Sequence, residues 1–202
     1  MNTLPNQQTQ FQQLTREAAR CVACPALCER RAVLSELNGS LHPRVLFVAE
    51  APGRQGGDRT RVPLNGDASG ANFNRFINSI NLARTDIFIT NAVLCNPRKL
   101  SGANRTPSRA EITNCAVFLQ RQLEILNAPV IATLGRVALE ALKAVAYHDF
   151  TLQTHAGRIL TWDNRMLVPL FHPSPQVLAS HRREAAQLED YQELRRALNL
   201  IS

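Results

Sequence analysis

No apolar run in this 202-residue chain is long enough to cross a bilayer as a helix. Its first ten residues, MNTLPNQQTQ, are polar and uncharged where a secretory signal would need a basic start and an apolar stretch. The expectation is a cytoplasmic protein with no membrane role. Lysine is nearly missing: Lys99 and Lys143 are the only two among 23 basic residues, so arginine carries the net charge of +7. A planar guanidinium suits phosphate, which makes a polyanion, nucleic acid first, the expected partner. An arginine-rich genome would leave the same charge. Neither GxGxxG nor GK[ST] occurs, which removes two familiar phosphate fingerprints. No internal repeat marks a second domain, and the length suits one domain with a substantial core. Few aromatics beside 45% hydrophobic residues fit a soluble globular chain.

What is present alternates. After ten residues expected to be disordered or loosely docked, Phe11, Leu14, Ala18 and Cys21 recur at three- and four-residue steps, as on one face of a short helix. Arg44–Ala49 reads as a buried strand, Ala71–Leu82 as a helix with Phe73, Phe76, Ile77 and Ile80 inward, and Asp86–Leu94 as a second buried strand. A basic loop over 96–107 follows. Ser108 and Glu111 form a capping-box pattern, opening a helix that buries Ile112, Cys115, Leu119, Leu123 and Leu126. Pro129–Leu134 is a third strand and Arg136–Ala146 a helix. Arg158–Trp162 and Arg165–Phe171 read as a hairpin, and a last helix buries Leu188, Tyr191, Leu194 and Leu198. This alternation predicts an α/β fold, a three-layer α/β/α sandwich around a central, mostly parallel sheet of about four strands.

Five cysteines in an apparently cytosolic chain argue against disulfides. Cys21 and Cys24 have the two-residue spacing that turns both thiolates to one metal. Cys95 and Cys115 flank the basic loop, one past a strand and one a turn into a helix, and could form a second pair. Four thiolates suit either tetrahedral zinc or a [4Fe–4S] cluster. Cys28 is the spare, unless CxxCxxxC recruits it.

The longest loop, from Ala51 to Gly70, carries five glycines, Asp58, Asp67, Arg54, Arg59 and Arg61 beyond the carboxyl end of the first strand. Ligands of open α/β sheets bind at such ends. Three pieces share that placement: AEAPGRQGGDRTRVPLNGDASG, ITNAVLCNPRK and FHPSP. Together with the cysteines they resemble the uracil-DNA glycosylase superfamily, specifically its iron–sulfur families 4 and 5, from Cys21 to Leu178. APGxxGxxRTxxxxxGDxSG and HPSP are similar to family 5, whereas Glu50 is similar to the GEAPG of family 4.

The resemblance implies a monofunctional glycosylase. It would flip uracil, or another deaminated base such as hypoxanthine, out of DNA and hydrolyse its N-glycosidic bond. Such an enzyme must hold the base, stabilise its negative charge and orient a water. Asn91 offers a donor and an acceptor that match uracil O4 and N3–H. His172 is implied near O2, and Asp67 as the acid that orients water or steadies the cationic sugar, with Glu50 the second candidate. Backbone groups of Ala51, Pro52 and Gly53 would complete the pocket. Leu64 stands where the family has a ring stacked on the base. Gly53 stands where a uracil-specific family has a tyrosine, and Gln176, implied together with Ser174 as a DNA contact, follows HPSP where a leucine wedge is common. A roomier pocket follows. A structural [4Fe–4S] cluster on Cys21, Cys24, Cys95 and Cys115 is favoured over zinc; it would present Arg98, Lys99, Arg105 and Arg109 to phosphates. The implied partner is damaged DNA and the implied state a monomer. Rival readings are a non-catalytic iron–sulfur DNA- or protein-binding module of the same fold, and a zinc-stabilised nucleoside hydrolase.

Overall fold

The structure, a computed structural model, describes residues 6–27 and 29–201. Helix α1 (Gln7–Ala19) is capped by the Asn6 side chain, which accepts from the Thr9 amide at 2.8 Å. It therefore starts four residues before Phe11, and residues 6–10 are ordered contrary to expectation. The Asn6 cap supplies the start signal that hydrophobic periodicity does not. In chain order follow β1 (Val45–Ala49), α2 (Gly57–Thr60), α3 (Ala68–Ser79), β2 (Ile87–Asn91), α4 (Arg109–Leu126), β3 (Val130–Leu134), α5 (Arg136–Ala141), α6 (Leu152–His155), β4 (Leu160–Trp162), β5 (Arg165–Leu170), α7 (Pro175–Ser180) and α8 (Glu184–Asn199).

The sheet has five strands in the order β2-β1-β3-β5-β4, parallel except for β4 at one edge. The expected four become five because both arms of the hairpin join. Asp163 and Asn164 turn it with φ of 48° and 58°, the left-handed pair that a tight hairpin requires. Pro169 is tolerated within β5 because β4 pairs only as far as Leu167, so nothing beyond needs its missing N–H on that side.

Side-chain alternation along β1 builds both cores. Leu46 and Val48 face Phe11, Leu14, Leu119, Leu123 and Ala138 of α1, α4 and α5. Val45, Phe47 and Ala49 face Phe73, Phe76, Tyr191 and Leu194 of α3 and α8. A strand covered on both faces must be apolar throughout, and all five residues of β1 are buried. The result is the expected three-layer sandwich. The Ser108–Glu111 capping box forms as read, with Ser108 Oγ accepting from the Glu111 amide and Glu111 Oε2 from the Ser108 amide. No helix of the described residues is long and apolar enough to cross a membrane.

Candidate active site and cysteine pocket

The carboxyl ends of β1, β2 and β5 open into one cleft. It is lined by Glu50, Ala51, Pro52, Gly53, Leu64, Asp67, Asn91, Asn96, Asn104, Arg105, His172, Ser174 and Gln176, among others. Every catalytic and base-binding candidate from the sequence thus lines a single cavity. Their positions follow from the sheet. Asn91 ends β2 beside Ala49. The ladder runs on through Ala92 N–H to Ala49 O at 2.7 Å and Val93 N–H to Glu50 O at 3.1 Å, so the turn that aims Asn91 is fixed. His172 follows β5, where Gly135 N–H binds Leu170 O at 2.8 Å. Gly135 has φ of +96°, which favours glycine, and a Cβ there would make only an ordinary 3.4 Å contact with the His172 Cβ. Asn72 Nδ2 donates to Pro173 O at 2.9 Å and ties the FHPSP turn to α3.

Asn91 is 3% exposed, and its Nδ2 is a buried donor with no hydrogen-bond partner. Burying an amide donor unpaired costs about 1–3 kcal/mol, a cost that a ligand in the cleft would offset. Burial pushes the His172 imidazole down to about 4, the nearby Asp67 charge opposing only in part. The ring is therefore neutral at physiological pH and can donate one N–H without carrying charge. Asp67 caps α3: Oδ1 accepts from the Gly70 amide at 2.9 Å. Its Oδ2 lies 3.4 Å from where a Gly53 Cβ would stand. The cap thus uses one carboxylate oxygen and leaves the other toward Gly53. Burial raises the Glu50 carboxyl above its ordinary range, with Arg136 and Thr106 pulling the other way. Leu64 has φ of 48°, held because Arg84 donates to the carbonyls of both Pro63 and Leu64. Pro52 has no N–H to give; its carbonyl accepts from Asn96 Nδ2 at 2.5 Å.

Asn96 and Asn104 carry no sequence pattern that marks them as functional. Asn96 is 1% exposed and also donates to Asn104 Oδ1 at 3.1 Å, which takes a second bond from the Arg54 amide at 3.0 Å. These bonds lace the glycine-rich loop to the basic loop. The only sequence signal is their place at the two ends of that basic stretch.

The basic loop itself differs from expectation. Arg98 reaches Asp58 Oδ2 and Asn96 Oδ1, both at 2.5 Å. Arg105 forms a two-pronged pair with Glu111, at 2.8 and 2.6 Å. Both arginines brace the loop, because carboxylates that are distant or unremarkable in sequence come within reach in the fold. Lys99 and Arg109 are exposed and make no ion pair among the described residues. Ser174 Oγ caps α7, accepting from the Val177 amide at 3.4 Å, and Gln176 is exposed on the rim.

A second, smaller and largely apolar pocket gathers Cys21, Cys24, Cys95 and Cys115 with Ala18, Leu27, Leu94 and Phe118. All four are free thiols. Burial pushes Cys115 up to about 12 and Cys95 up to about 11, and the neighbouring cysteines push the same way. The Leu94 amide donates to Cys115 Sγ at 3.4 Å, and Asn114 Nδ2 to Cys24 Sγ at 3.6 Å. Such donors favour thiolate over thiol, so the set suits a cationic thiophilic centre. Among the described residues, no three His, Cys, Asp or Glu side chains form a group that would hold a metal ion. Cys28 lies outside the described residues.

Three strand-end motifs converge on one cleft with a buried unpaired amide in an α/β domain, and sequence comparison gives its class. The chain belongs to the uracil DNA glycosylase superfamily, whose sequence model matches residues 38–197. Similar proteins include a type-4 uracil-DNA glycosylase of Thermotoga maritima, 34% identical over 156 residues that cover 77% of each chain. Another type-4 enzyme, from Saccharolobus solfataricus, is 32% identical over 190 residues, 91% of this chain and 84% of the relative. A type-5 uracil-DNA glycosylase of Pyrobaculum aerophilum is 28% identical and covers 77% of this chain and 78% of its own. Both types are thus among the matches.

Proposed function

We propose that this protein excises uracil, and other deaminated bases such as hypoxanthine, from DNA by hydrolysing the N-glycosidic bond. The observation that carries the reading is the buried, unpartnered amide of Asn91 in a cleft shared with a neutral histidine. A flipped uracil would satisfy it: Nδ2 donates to O4 while Oδ1 accepts N3–H. As the bond between N1 and C1′ breaks, its electron pair leaves on the base. His172 donates a hydrogen bond at O2, where that charge collects, and being neutral it keeps its proton. Asp67 presents Oδ2 to a water, whose oxygen bonds to C1′ and whose proton passes toward the carboxylate. Asp67 also steadies the oxocarbenium-like sugar. Glu50, partly buried beside Arg136, is the second acid. Leu64 contributes apolar surface where relatives stack a ring, and Gly53 leaves room beside it.

We infer further that Cys21, Cys24, Cys95 and Cys115 hold a [4Fe–4S] cluster. Four thiols line one cavity, a donor set that suits four-thiolate ligation, and the resemblance to the iron–sulfur families favours the cluster over tetrahedral zinc. When bound, the cluster supplies a structural tie between the N-terminal segment and the loop after β2. The protein acts as a cytoplasmic monomer on DNA.

Oligonucleotides bearing uracil, hypoxanthine, xanthine or a thymine mismatch test this by abasic-site formation. Uracil is expected to be removed. Asn91→Leu should lower the single-turnover rate about 10²–10³-fold, the cost of losing one donor to developing charge. Its melting temperature should hold or rise, since the orphaned donor is gone. Wild-type protein that leaves every lesion intact overturns the reading.

A further inference from the structure

The loop between Cys95 and Pro107 contains a feature that the base pocket does not use. Arg98 and Asn104 pair as an antiparallel bridge. Within it the Lys99 amide donates to Ala103 O at 2.8 Å and the Gly102 amide to Lys99 O at 2.9 Å, with Gly102 at φ of +80°. The result is a small hairpin with Leu100 at its tip. Its base is held from three sides: Asn96 to Pro52 O, Arg98 to Asp58, and Asn104 to the Arg54 amide. The base residues Asn96, Pro97, Asn104 and Arg105 are also walls of the base cleft. Leu100 is fully exposed. A single exposed leucine is ordinary on a protein surface. Like Val22, Leu37, Val117, Tyr147, Leu200 and Ile201, Leu100 is not itself a wall of the cleft, but the hairpin that carries it begins and ends in cleft-wall residues. It is carried on a braced turn at the rim of the cleft, beside the exposed cations Lys99 and Arg54.

We propose that Leu100 is an apolar wedge that enters the DNA stack beside the target nucleotide and holds the base out, resting on the assignment of this chain as a DNA glycosylase. A protein that removes a base from a duplex must offset the stacking it breaks, and leucine side chains inserted between base steps do this. Gln176, also on the cleft wall, is polar and exposed, so it does not supply such an apolar side chain. Charge selects DNA as the occupant. Lys99 adjoins the leucine, Arg54 adjoins the hairpin base, and the whole chain carries +7, whereas an apolar protein partner would need a larger patch than one side chain.

The test compares single-turnover excision from duplex and single-stranded uracil DNA for wild type, Leu100→Ala and Leu100→Met. A single strand has little stacking to break, so the duplex-to-single-strand rate ratio is the readout. It should fall about tenfold in Leu100→Ala, as the wedge no longer offsets the broken stacking, and stay near wild type in Leu100→Met. A duplex with 2-aminopurine next to the uracil should brighten on binding wild type and much less on binding Leu100→Ala. A ratio and fluorescence unchanged by Leu100→Ala overturn the wedge while leaving base excision standing. A wild type that excises nothing overturns the glycosylase reading alone if the fluorescence still depends on Leu100, and both if it does not.

Discussion

The base cleft and the cysteine pocket lie a few residues apart along one segment, Asn91 facing the first and Cys95 the second, yet they are stabilised in opposite ways. The cleft is finished by the fold. Its backbone is hydrogen-bonded through Ala92, Val93 and Gly135, its loops are laced by Asn96 and Asn104, and one donor of Asn91 is left open. The cysteine pocket is apolar, and its thiols are pushed up to about 11 at Cys95 and about 12 at Cys115. Thiols so protonated bind nothing until a metal centre displaces their protons. A preorganised site thus stands beside one that the proposed cluster would complete. The difference is one of chemistry: amides and imidazole can wait neutral in a folded protein, whereas four thiolates cannot share a dry pocket uncompensated.

Breaking the ligand-dependent side should have the largest effect. Cys115→Ser, which removes one proposed ligand, is expected to abolish any broad visible absorbance of the purified protein. Loss of a metal site destabilises by about 4 kcal/mol or more, which at about 2–4 °C per kcal/mol for a chain of this size is about 8–16 °C in melting temperature. Calorimetry with anaerobic spectroscopy checks this. A colourless wild-type protein holding stoichiometric zinc would remove the cluster while keeping the four ligands.

The base cleft should show a pH response of definite sign. Folding pushes His172 from its ordinary 6.5 down to about 4. Between those values the unfolded chain binds a proton that the folded chain refuses, so this contribution to stability is complete above about pH 6.5 and drains away as the pH falls toward 4. Melting curves between pH 4 and 7 should therefore fall more steeply for wild type than for His172→Gln. The excision rate should show no inflection near 6.5 from this residue. Such an inflection, absent in His172→Gln, would mean that the imidazole is charged in the free enzyme.

The smallest expected effect lies on the rim. Lys99→Ala and Arg109→Ala should each lower the slope of log affinity against log salt by about one, as when one phosphate is no longer neutralised and its counterion stays on the DNA. Arg98→Ala and Arg105→Ala should instead lower thermal stability, because those side chains bind Asp58 and Glu111. If the salt slope follows Arg98 and Arg105 alone, these ion pairs open on DNA.

Much of this architecture was legible in the residues. Apolar runs such as VLFVA could only be strands buried on both faces, and the Ser108–Glu111 pattern could only close locally, so periodicity and capping chemistry sufficed. The three motifs reached one cleft because each follows a strand of one parallel sheet, whose carboxyl ends necessarily lie along the same edge. Long-range partners were not legible. Nothing local distinguishes Arg98, braced on Asp58 forty positions away, from Lys99 beside it, which makes no ion pair among the described residues. Asn96 and Asn104 gained their roles only when two loops met, and Asn6 moved the first helix start back because a cap is a single side chain without period. Local sequence determined which segments would be strand, helix or turn, and the order in which they lie. Which charges are spent on the protein itself, which amide is left without a partner, and which leucine stands exposed on the rim were decided by tertiary packing, since each depends on atoms that the chain brings together only on folding.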